Sequence, residues 1–176
     1  MSNEPLPRTL DVRRAAARGA TVRGLVQPVD LPRFRTLLAA DEGAIEVVLS
    51  LSRDEENRYL ANVSVRAEVT VTCQRCLEPM PIVLTGDTTL GVVWREAQAA
   101  QLPRQLDPLV VEGEACDLWE LVEEELILSL PAFSYHDTQQ CRDSLAGFAA
   151  PPPEEDGAGP ESPNPFEVLG QLKPRD

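Results

Sequence analysis

The chain has 176 residues, of which 43% are hydrophobic, and it carries a formal net charge of −13. That length suits one domain with tails, and no window approaches the roughly 18 consecutive apolar residues that a membrane helix requires. The N-terminal residues lack the basic start and apolar run of a signal peptide, so the sequence predicts a soluble, cytoplasmic protein. In that compartment, the four cysteines are expected as thiols, metal ligands or small buried residues rather than as disulfides.

The charge is unevenly distributed along the chain. Residues 1–35 contain seven arginines and three acidic residues, a net charge of +4, so the remaining residues carry −17. Residues 112–161 alone contain thirteen acidic residues and a single arginine. Such a surface repels polyanions, which disfavours extended binding to nucleic acid and favours basic partners. Acidity also keeps proteins soluble, and charge alone leaves that simpler interpretation open.

The first part of the chain alternates between predicted helices and one strand. Residues 8–19 contain Leu, Val and Ala among arginines, which predicts a short helix that ends at Gly19. Residues 20–27 have the composition of a short strand. Residues 31–40 return to helical spacing, with Pro32 in the first turn, so a second helix is expected there.

The middle of the chain predicts an antiparallel β-meander. Apolar and polar residues alternate over 45–52, 63–72 and 82–94, and polar turns separate these runs. Period-two alternation of this kind is typical of strands with one buried face. Residues 96–107 are expected to be a connection, and 109–112 a brief strand. The predicted fold class is therefore α+β, with the meander forming a sheet or a partly open barrel.

The clearest helix is predicted at 118–130 and is expected to cover the buried face of the sheet. Asp117 followed by Glu120 resembles a capping box, with Asp in place of Ser or Thr, and Pro131 ends the helix. Its apolar residues lie on one stripe, as in a helix with one buried side. The three glutamates at 123–125 are predicted to form a solvated face rather than an acid/base pair.

The chain divides into three predicted segments: a single α+β domain over 1–143, a linker over 144–163 and a docking motif over 164–176. The linker is rich in Ala, Pro, Gly, Glu and Asp, so it is expected to be disordered and extended. In the last segment apolar residues return, which favours docking on a partner or packing back on the domain. Its candidate contact residues are Asn164, Pro165, Phe166, Val168, Leu169, Leu172 and Lys173.

The cysteines and the single histidine provide two pairs of candidate ligands for one zinc ion. Cys73 and Cys76 lie in a predicted hairpin turn, where two thiolates at this spacing can bind one ion from the same side. The short-spaced pair His136 and Cys141 completes a Cys3His set for a structural zinc ion. Free thiols in a hairpin remain the alternative. Cys116 is a remaining candidate, but it precedes the helix cap and has no partner close in sequence.

Patterns typical of enzymes are weak or missing in the sequence. Redox Cys-x-x-Cys motifs lie at a helix N-terminus, where the helix dipole lowers the thiol pKa, rather than at a hairpin tip. One histidine limits general base catalysis, and neither a phosphate-binding glycine loop nor a Gly-x-Ser-x-Gly elbow occurs. The sequence therefore predicts a non-enzymatic accessory protein.

In order and spacing, several segments together resemble the YceD family, which is named for accumulation of the large-subunit ribosomal RNA. The resemblance extends from Leu6 to Lys173, and it is more specific than any one motif. The segments that carry it are Cys73-Gln74-Arg75-Cys76, Leu126-Ile127-Leu128-Ser129-Leu130-Pro131, His136-Asp137, Cys141 and Asn164–Lys173.

This resemblance implies a role in the synthesis, processing or stability of 23S ribosomal RNA, without an established catalytic activity. It also implies that the hairpin cysteines, His136, Cys141 and the Asn164–Lys173 tail are family positions, and that Cys116 is not one. The linker before the tail is longer in Ala and Pro than the linkers of typical relatives.

Three functions remain open at this point. An acidic body favours a basic ribosomal protein, a processing factor or a pre-ribosomal particle as the partner. Direct contact with 23S ribosomal RNA is the second, with four arginines as candidate contact residues. A zinc-stabilised or redox thiol protein is the third. The candidate arginines are Arg13, Arg14, Arg18 and Arg75.

Overall fold

A five-stranded sheet forms the frame of the protein. The structure, a computed structural model, describes residues 4–113 and 115–145. Four strands follow one another as an antiparallel meander, and the fifth pairs in parallel with the fourth. The sheet is open within the described residues, and no closed barrel forms there. The strands are β2 (Thr21–Val26), β3 (Ile45–Arg53), β4 (Tyr59–Thr72), β5 (Pro79–Val93) and β6 (Asp107–Val110).

Two short strands, five α-helices and a 3-10 helix at Pro28–Asp30 complete the described part of the chain. Strand β1 (Thr9–Leu10) pairs antiparallel with β7 (Cys116–Asp117), which leads directly into the longest helix. Each helix among the described residues is too short or too polar to span a bilayer. The helices are α1 (Val12–Ala16), α2 (Pro32–Arg35), α3 (Glu96–Ala99), α4 (Leu118–Ser129) and α5 (Gln139–Asp143).

The predicted antiparallel meander is confirmed, and its alternation places the core on one face of the sheet. In β4, every second residue from Ala61 to Val71 is buried, and the residues between them are more exposed. The register sets Val65 of β4 opposite Val47 of β3, so buried side chains of neighbouring strands lie side by side. Cross-strand pairs of β-branched residues stabilise such a face.

Helix α4 packs on the buried face of this sheet. Asp117 caps its N-terminus by accepting hydrogen bonds from the N–H groups of Trp119 at 2.9 Å and Glu120 at 3.2 Å. Its last turn passes so close to β5 that a Cβ at Gly86 would lie 2.6 Å from the Ser129 hydroxyl. The side chains that α4 buries against the sheet are Leu118, Leu121, Val122 and Leu126.

The two N-terminal helices are shorter than the sequence predicted. Helix α1 covers only Val12–Ala16, because the preceding residues pair with β7 instead of continuing the helix. Helix α2 ends at Arg35 rather than near residue 40. There the Ala39 N–H donates to the Thr70 carbonyl at 2.7 Å, so the edge of β4 competes for the backbone. Tertiary pairing has overridden local helical spacing at both places.

Two smaller differences lie between β5 and α4. The predicted connection over 96–107 contains the short helix α3, and the predicted strand over 109–112 starts at Asp107 as strand β6. β6 pairs in parallel with β5 rather than extending the meander. Residues 146–163 of the predicted linker and the whole predicted docking motif, 164–176, lie outside the described residues.

The prediction that the three glutamates of α4 form a solvated face was wrong for two of them. Glu123 and Glu125 are each only 5% exposed. The Glu123 carboxylate accepts from the backbone N–H groups of Arg33 at 2.6 Å and Phe34 at 3.1 Å, and from the Arg33 guanidinium at 3.0 Å. A buried carboxylate is stable when donors of this kind surround it. Glu123 therefore caps α2 from across the core.

The pKa of Glu123 reflects this arrangement. Burial by itself raises the pKa of the carboxyl group, but the hydrogen bonds from Phe34 and Arg33 outweigh burial and lower it below its ordinary value of 4.5. A group with a lowered folded-state pKa stabilises the protein above its unfolded-state value. The stabilisation by Glu123 is therefore fully present above about pH 4.5 and is lost as the pH falls through the folded-state pKa.

Glu123→Ala is expected to lower the free energy of unfolding by about 1–3 kcal/mol, because buried N–H donors on α2 lose their acceptor. Glu124→Ala is the matched control. Glu124 is half exposed and pairs with the same arginine, so its loss should cost less than about 1 kcal/mol. Urea unfolding of both variants at neutral pH measures the difference. Equal destabilisation by the two substitutions would contradict the capping role of Glu123.

Candidate metal centre

The hairpin between β4 and β5 holds the first two cysteines. Thr72, the last residue of β4, faces Pro79, the first of β5, and residues 73–78 form the turn. The Cys73 N–H donates to the Glu78 carbonyl, and the Leu77 N–H donates to the Cys73 carbonyl, both at 2.9 Å. Leu77 has a φ of +63° in this turn. The tight turn brings both thiols to the same side.

The segment after α4 holds the other two candidate ligands against this turn. The Gln74 N–H donates to the Ser134 carbonyl at 2.9 Å, which attaches the segment to the hairpin tip. Thr138 then caps α5, its hydroxyl accepting from the Cys141 N–H at 3.3 Å. Cys141 is buried, and His136 is half buried. Backbone contacts thus place both residues beside the cysteines of the hairpin.

The structure brings all four predicted ligands together. One ligand atom each from Cys73, Cys76, His136 and Cys141 can be chosen so that all four lie within 4.8 Å of one another. The sulfurs of Cys73 and Cys141 are 3.6 Å apart, and the Cys76 sulfur is 3.3 Å from Nδ1 of His136. In a tetrahedral zinc site with Zn–S bonds of about 2.3 Å, two sulfurs lie about 3.8 Å apart. The spacing therefore suits one tetrahedral ion.

The hydrogen bond made by the histidine favours the tautomer that metal binding requires. Its Nε2 lies 3.2 Å from the Pro79 carbonyl oxygen. A carbonyl oxygen only accepts, so Nε2 donates this hydrogen bond. In a neutral ring Nδ1 then carries the lone pair, and it lies 3.3 Å from the Cys76 sulfur. Histidine ligands in metal sites commonly donate their second N–H to a carbonyl or carboxylate in this way.

The turn also stabilises thiolate at Cys73. Burial opposes ionisation there, but backbone hydrogen bonds from Cys76, His136 and Arg75 outweigh it and lower the pKa of Cys73 to about 5. For Cys76 the backbone N–H of Glu78 lowers the pKa, whereas burial and the neighbouring thiols outweigh it and raise the pKa above the ordinary value. Neighbouring thiolates repel each other, and a bound cation reduces that repulsion.

Arg75 connects the cysteine cluster to an exposed aromatic pair. Its guanidinium lies 3.9 Å from the Cys141 sulfur and 4.8 Å from the centre of the Tyr135 ring. The rings of Tyr135 and Phe133 are nearly parallel, with centroids 6.3 Å apart. Phe133 is 69% exposed and Leu77, on the same turn as the cysteines, is 73% exposed. Sequence reasoning missed both aromatic residues, although Phe-Ser-Tyr directly before His136 was a usable signal.

The remaining cysteine lies elsewhere. Cys116 is buried in β7, and the cluster found among the described residues does not include it. Burial, together with the charges of Asp117 and Glu120, raises the pKa of its thiol to about 11. A thiol of this kind is protonated at neutral pH and reacts slowly. Cys116 therefore lies apart from the four predicted ligands, and their assignment as metal ligands stays a prediction.

The three candidate arginines of the N-terminal segment have different surroundings. The guanidinium of Arg13, on α1, lies 4.3 Å from the centre of the Trp94 ring. Arg14 is also on α1 and Arg18 follows it, and both are exposed. Among the described residues, none of the three forms an ion pair. They remain candidates for contact with a partner.

Comparison with known proteins shows one consistent similarity. A family model described as large ribosomal RNA subunit accumulation protein YceD matches residues 61–173. A Haemophilus influenzae protein with the same description is 31% identical over 176 residues, covering 98% of this chain and 99% of that protein. No solved structure matches the chain. The family model includes all four residues of the cysteine and histidine cluster.

Leu77→Gly is expected to stabilise the protein by about 0.5–1 kcal/mol. A left-handed backbone costs a non-glycine residue about 1–2 kcal/mol, which glycine avoids. Glycine loses more conformational entropy on folding, and that loss cancels part of the gain. Val83→Gly is the control, because Val83 is also exposed but lies inside β5. That control should lose about 1 kcal/mol. The midpoints of urea unfolding measure both effects. A loss of stability in Leu77→Gly would show that its backbone is unstrained.

Proposed function

The chain belongs to the YceD family of large ribosomal RNA subunit accumulation proteins, and we propose on that basis that it promotes accumulation of 23S ribosomal RNA as a non-enzymatic accessory factor. Such a factor acts on the synthesis, processing or stability of the RNA within large-subunit assembly, a role that fits the cytoplasm. Family membership carries this proposal, because the matched region covers most of the described sheet, helix α4 and the cysteine cluster.

The cluster is proposed to bind a structural zinc ion. Three cysteines and one histidine supply four protein ligands, which complete a tetrahedral shell and leave no open position for water or substrate. A closed site of this kind supports structure rather than catalysis, in keeping with a non-enzymatic role. The single observation behind it is that all four ligand atoms lie within 4.8 Å of one another.

Zinc would hold the hairpin tip and the segment after α4 in one arrangement. Three thiolates and a neutral histidine around a divalent ion leave a net negative charge, which the guanidinium of Arg75 partly offsets. The same contacts keep Tyr135 and Phe133 exposed beside Arg75. Exposed aromatic residues and arginine are enriched at interfaces between proteins. The tip is therefore proposed as a contact surface for a protein of the pre-ribosomal particle.

The protein purified without chelator is expected to contain about one equivalent of zinc, because a complete structural site binds tightly. Cys73→Ser and His136→Asn should reduce the zinc content well below half an equivalent. Cys116→Ala is the matched control and should retain the metal, since Cys116 lies outside the cluster. Elemental analysis measures all four samples.

Equal zinc content in the Cys73→Ser variant and the wild type would contradict the proposed ligand set. Less than about half an equivalent in the wild type, even after refolding with added zinc, would contradict a tight structural site. Because ligand binding and folding are coupled in such sites, zinc-free variants should also unfold at lower temperature. Circular dichroism melting of the same four samples tests that consequence.

Direct contact with ribosomal RNA is the second candidate mechanism. Arg14 and Arg18 are exposed, and neither they nor Arg13 form an ion pair among the described residues. Free arginines can bind phosphates, although the net charge of −13 opposes this over most of the surface. A protein partner is favoured for that reason.

Cells that lack the protein are expected to accumulate less 23S ribosomal RNA relative to 16S, and fewer large subunits, as measured by sedimentation profiles and RNA quantification. The wild-type gene should restore both. A variant with Arg13→Glu, Arg14→Glu and Arg18→Glu separates the two mechanisms. Restoration by this variant favours protein contacts, and loss of RNA retention with loss of restoration favours RNA contact. Unchanged 23S levels in the deletion strain would contradict the proposed function itself.

A further inference from the structure

A cavity of about 910 Å³ lies between helix α4 and the end of the sheet formed by β5 and β6. Its volume is in the range of ligand sites in proteins, which is about 300–1,000 Å³. Apolar side chains from both walls line part of it, and none of the described residues that line it is basic. The apolar residues include Leu90, Leu109, Val111, Leu121 and Leu128.

The polar part of this cavity is strongly acidic. Seven carboxylate side chains among the described residues line it. Two of these are neutralised, Asp117 by Arg8 and Glu124 by Arg33. The other five have no ion pair or side-chain hydrogen bond to any residue that the structure describes. These five are Glu96, Asp107, Glu112, Glu120 and Glu125.

Glu125 is the strongest sign that the cavity takes a ligand. It is only 5% exposed, yet no donor among the described residues reaches its carboxylate. No buried side-chain oxygen in that part of the chain is without a hydrogen-bond partner. The unpaired Glu125 oxygens must therefore keep contact with open space, and the space that Glu125 lines is the cavity. Glu125 therefore presents a carboxylate without a protein partner to the cavity, where a bound cation can pair with it.

The arrangement of the acids suits an extended cation rather than a metal ion. Among the described residues, the single group that could hold a metal is the cysteine and histidine cluster. No three of the described cavity carboxylates therefore lie close enough together to form such a group. A chain that carries several positive charges with apolar side chains between them matches both the spread acids and the apolar walls.

The C-terminal part of this chain does not suit the cavity. Residues 146–163 contain four acidic residues and no basic one, and unpaired carboxylates repel a segment of that charge. Residues 164–176 contain two acidic and two basic residues, so they bring two cations and no net positive charge to five free carboxylates. A more basic segment of another molecule is therefore the better match.

We propose that this cavity binds a segment of a partner protein in which lysine or arginine alternates with apolar residues. Its cations pair with the five free carboxylates, one of them reaching Glu125, and its apolar side chains cover Leu109, Leu121 and Leu128. This inference rests on the proposed function for the identity of the partner, a basic protein of large-subunit assembly. The binding chemistry of the cavity stands without it.

The test uses the full-length protein and a short dye-labelled peptide in which arginine and lysine alternate with leucine. Fluorescence anisotropy should show saturable binding that weakens as salt is added, because screening reduces charge pairing. A variant with Asp107→Asn, Glu120→Gln and Glu125→Gln should bind the peptide at least tenfold more weakly. The control carries Glu42→Gln, Glu46→Gln and Glu55→Gln, three exposed acids outside the cavity. It has the same net charge and should bind like the wild type.

Leu128→Lys is a second variant that does not depend on a buried substitution. Leu128 is 73% exposed at the cavity, so lysine there leaves the core intact and places a positive charge where the peptide binds. Binding should again fall at least tenfold. Equal loss in the cavity variant and the control, or no binding by the wild type, would overturn the inference. Binding that strengthens tenfold when residues 146–176 are removed would show that the tail is the occupant and would also overturn it.

Expression in the deletion strain separates this inference from the proposed function. If the cavity variant loses the peptide and fails to restore 23S ribosomal RNA, while the control does both, the inference is supported. If the cavity variant loses the peptide but restores the RNA fully, the cavity does not serve that role and the inference about its partner is overturned. An unchanged deletion strain contradicts the proposed function and leaves the peptide measurements as the test of the cavity.

Discussion

The pairing of β4 with β5 is the constraint on which both candidate sites depend. The register continues from Tyr59 opposite Val92 to Thr72 opposite Pro79, and β4 extends over roughly 45 Å at about 3.3 Å per residue. The closed end of this hairpin holds the two cysteines, and the open end forms one wall of the acidic cavity with β6. A slip of one residue would turn the buried face outward and separate the elements at both ends.

Helix α4 connects these two ends. One side of the helix lines the cavity, and the chain that follows its last turn carries Ser134, His136 and Cys141 to the hairpin tip. Glu123 holds α2 to the same helix by accepting two backbone N–H groups. The position of α4 on the sheet therefore determines both the geometry of the cysteine cluster and the shape of the acidic cavity.

The two candidate sites differ in their chemistry. At the tip, four ligand atoms face one another, and Arg75 and two aromatic rings lie around them. In the cavity, five carboxylates have no ion pair among the described residues, whereas Asp117 and Glu124 are paired with arginines. A metal ion would satisfy all four ligand atoms at the tip. The unpaired carboxylates of the cavity instead need positive charge from another molecule. The tip is thus suited to holding a surface in place and the cavity to recognising a basic chain.

The sequence by itself determined the features that depend on local pattern. Period-two alternation located the strands, Asp117 and Pro131 marked the ends of α4, and the spacing of four Cys and His residues indicated the cluster. Only the tertiary structure decided the burial of Glu123, because its donors on Arg33 and Phe34 lie about ninety residues away. The early end of α2 and the acidic cavity were likewise decided only by the tertiary structure. Each arises from contacts between segments distant in sequence, which no local periodicity records.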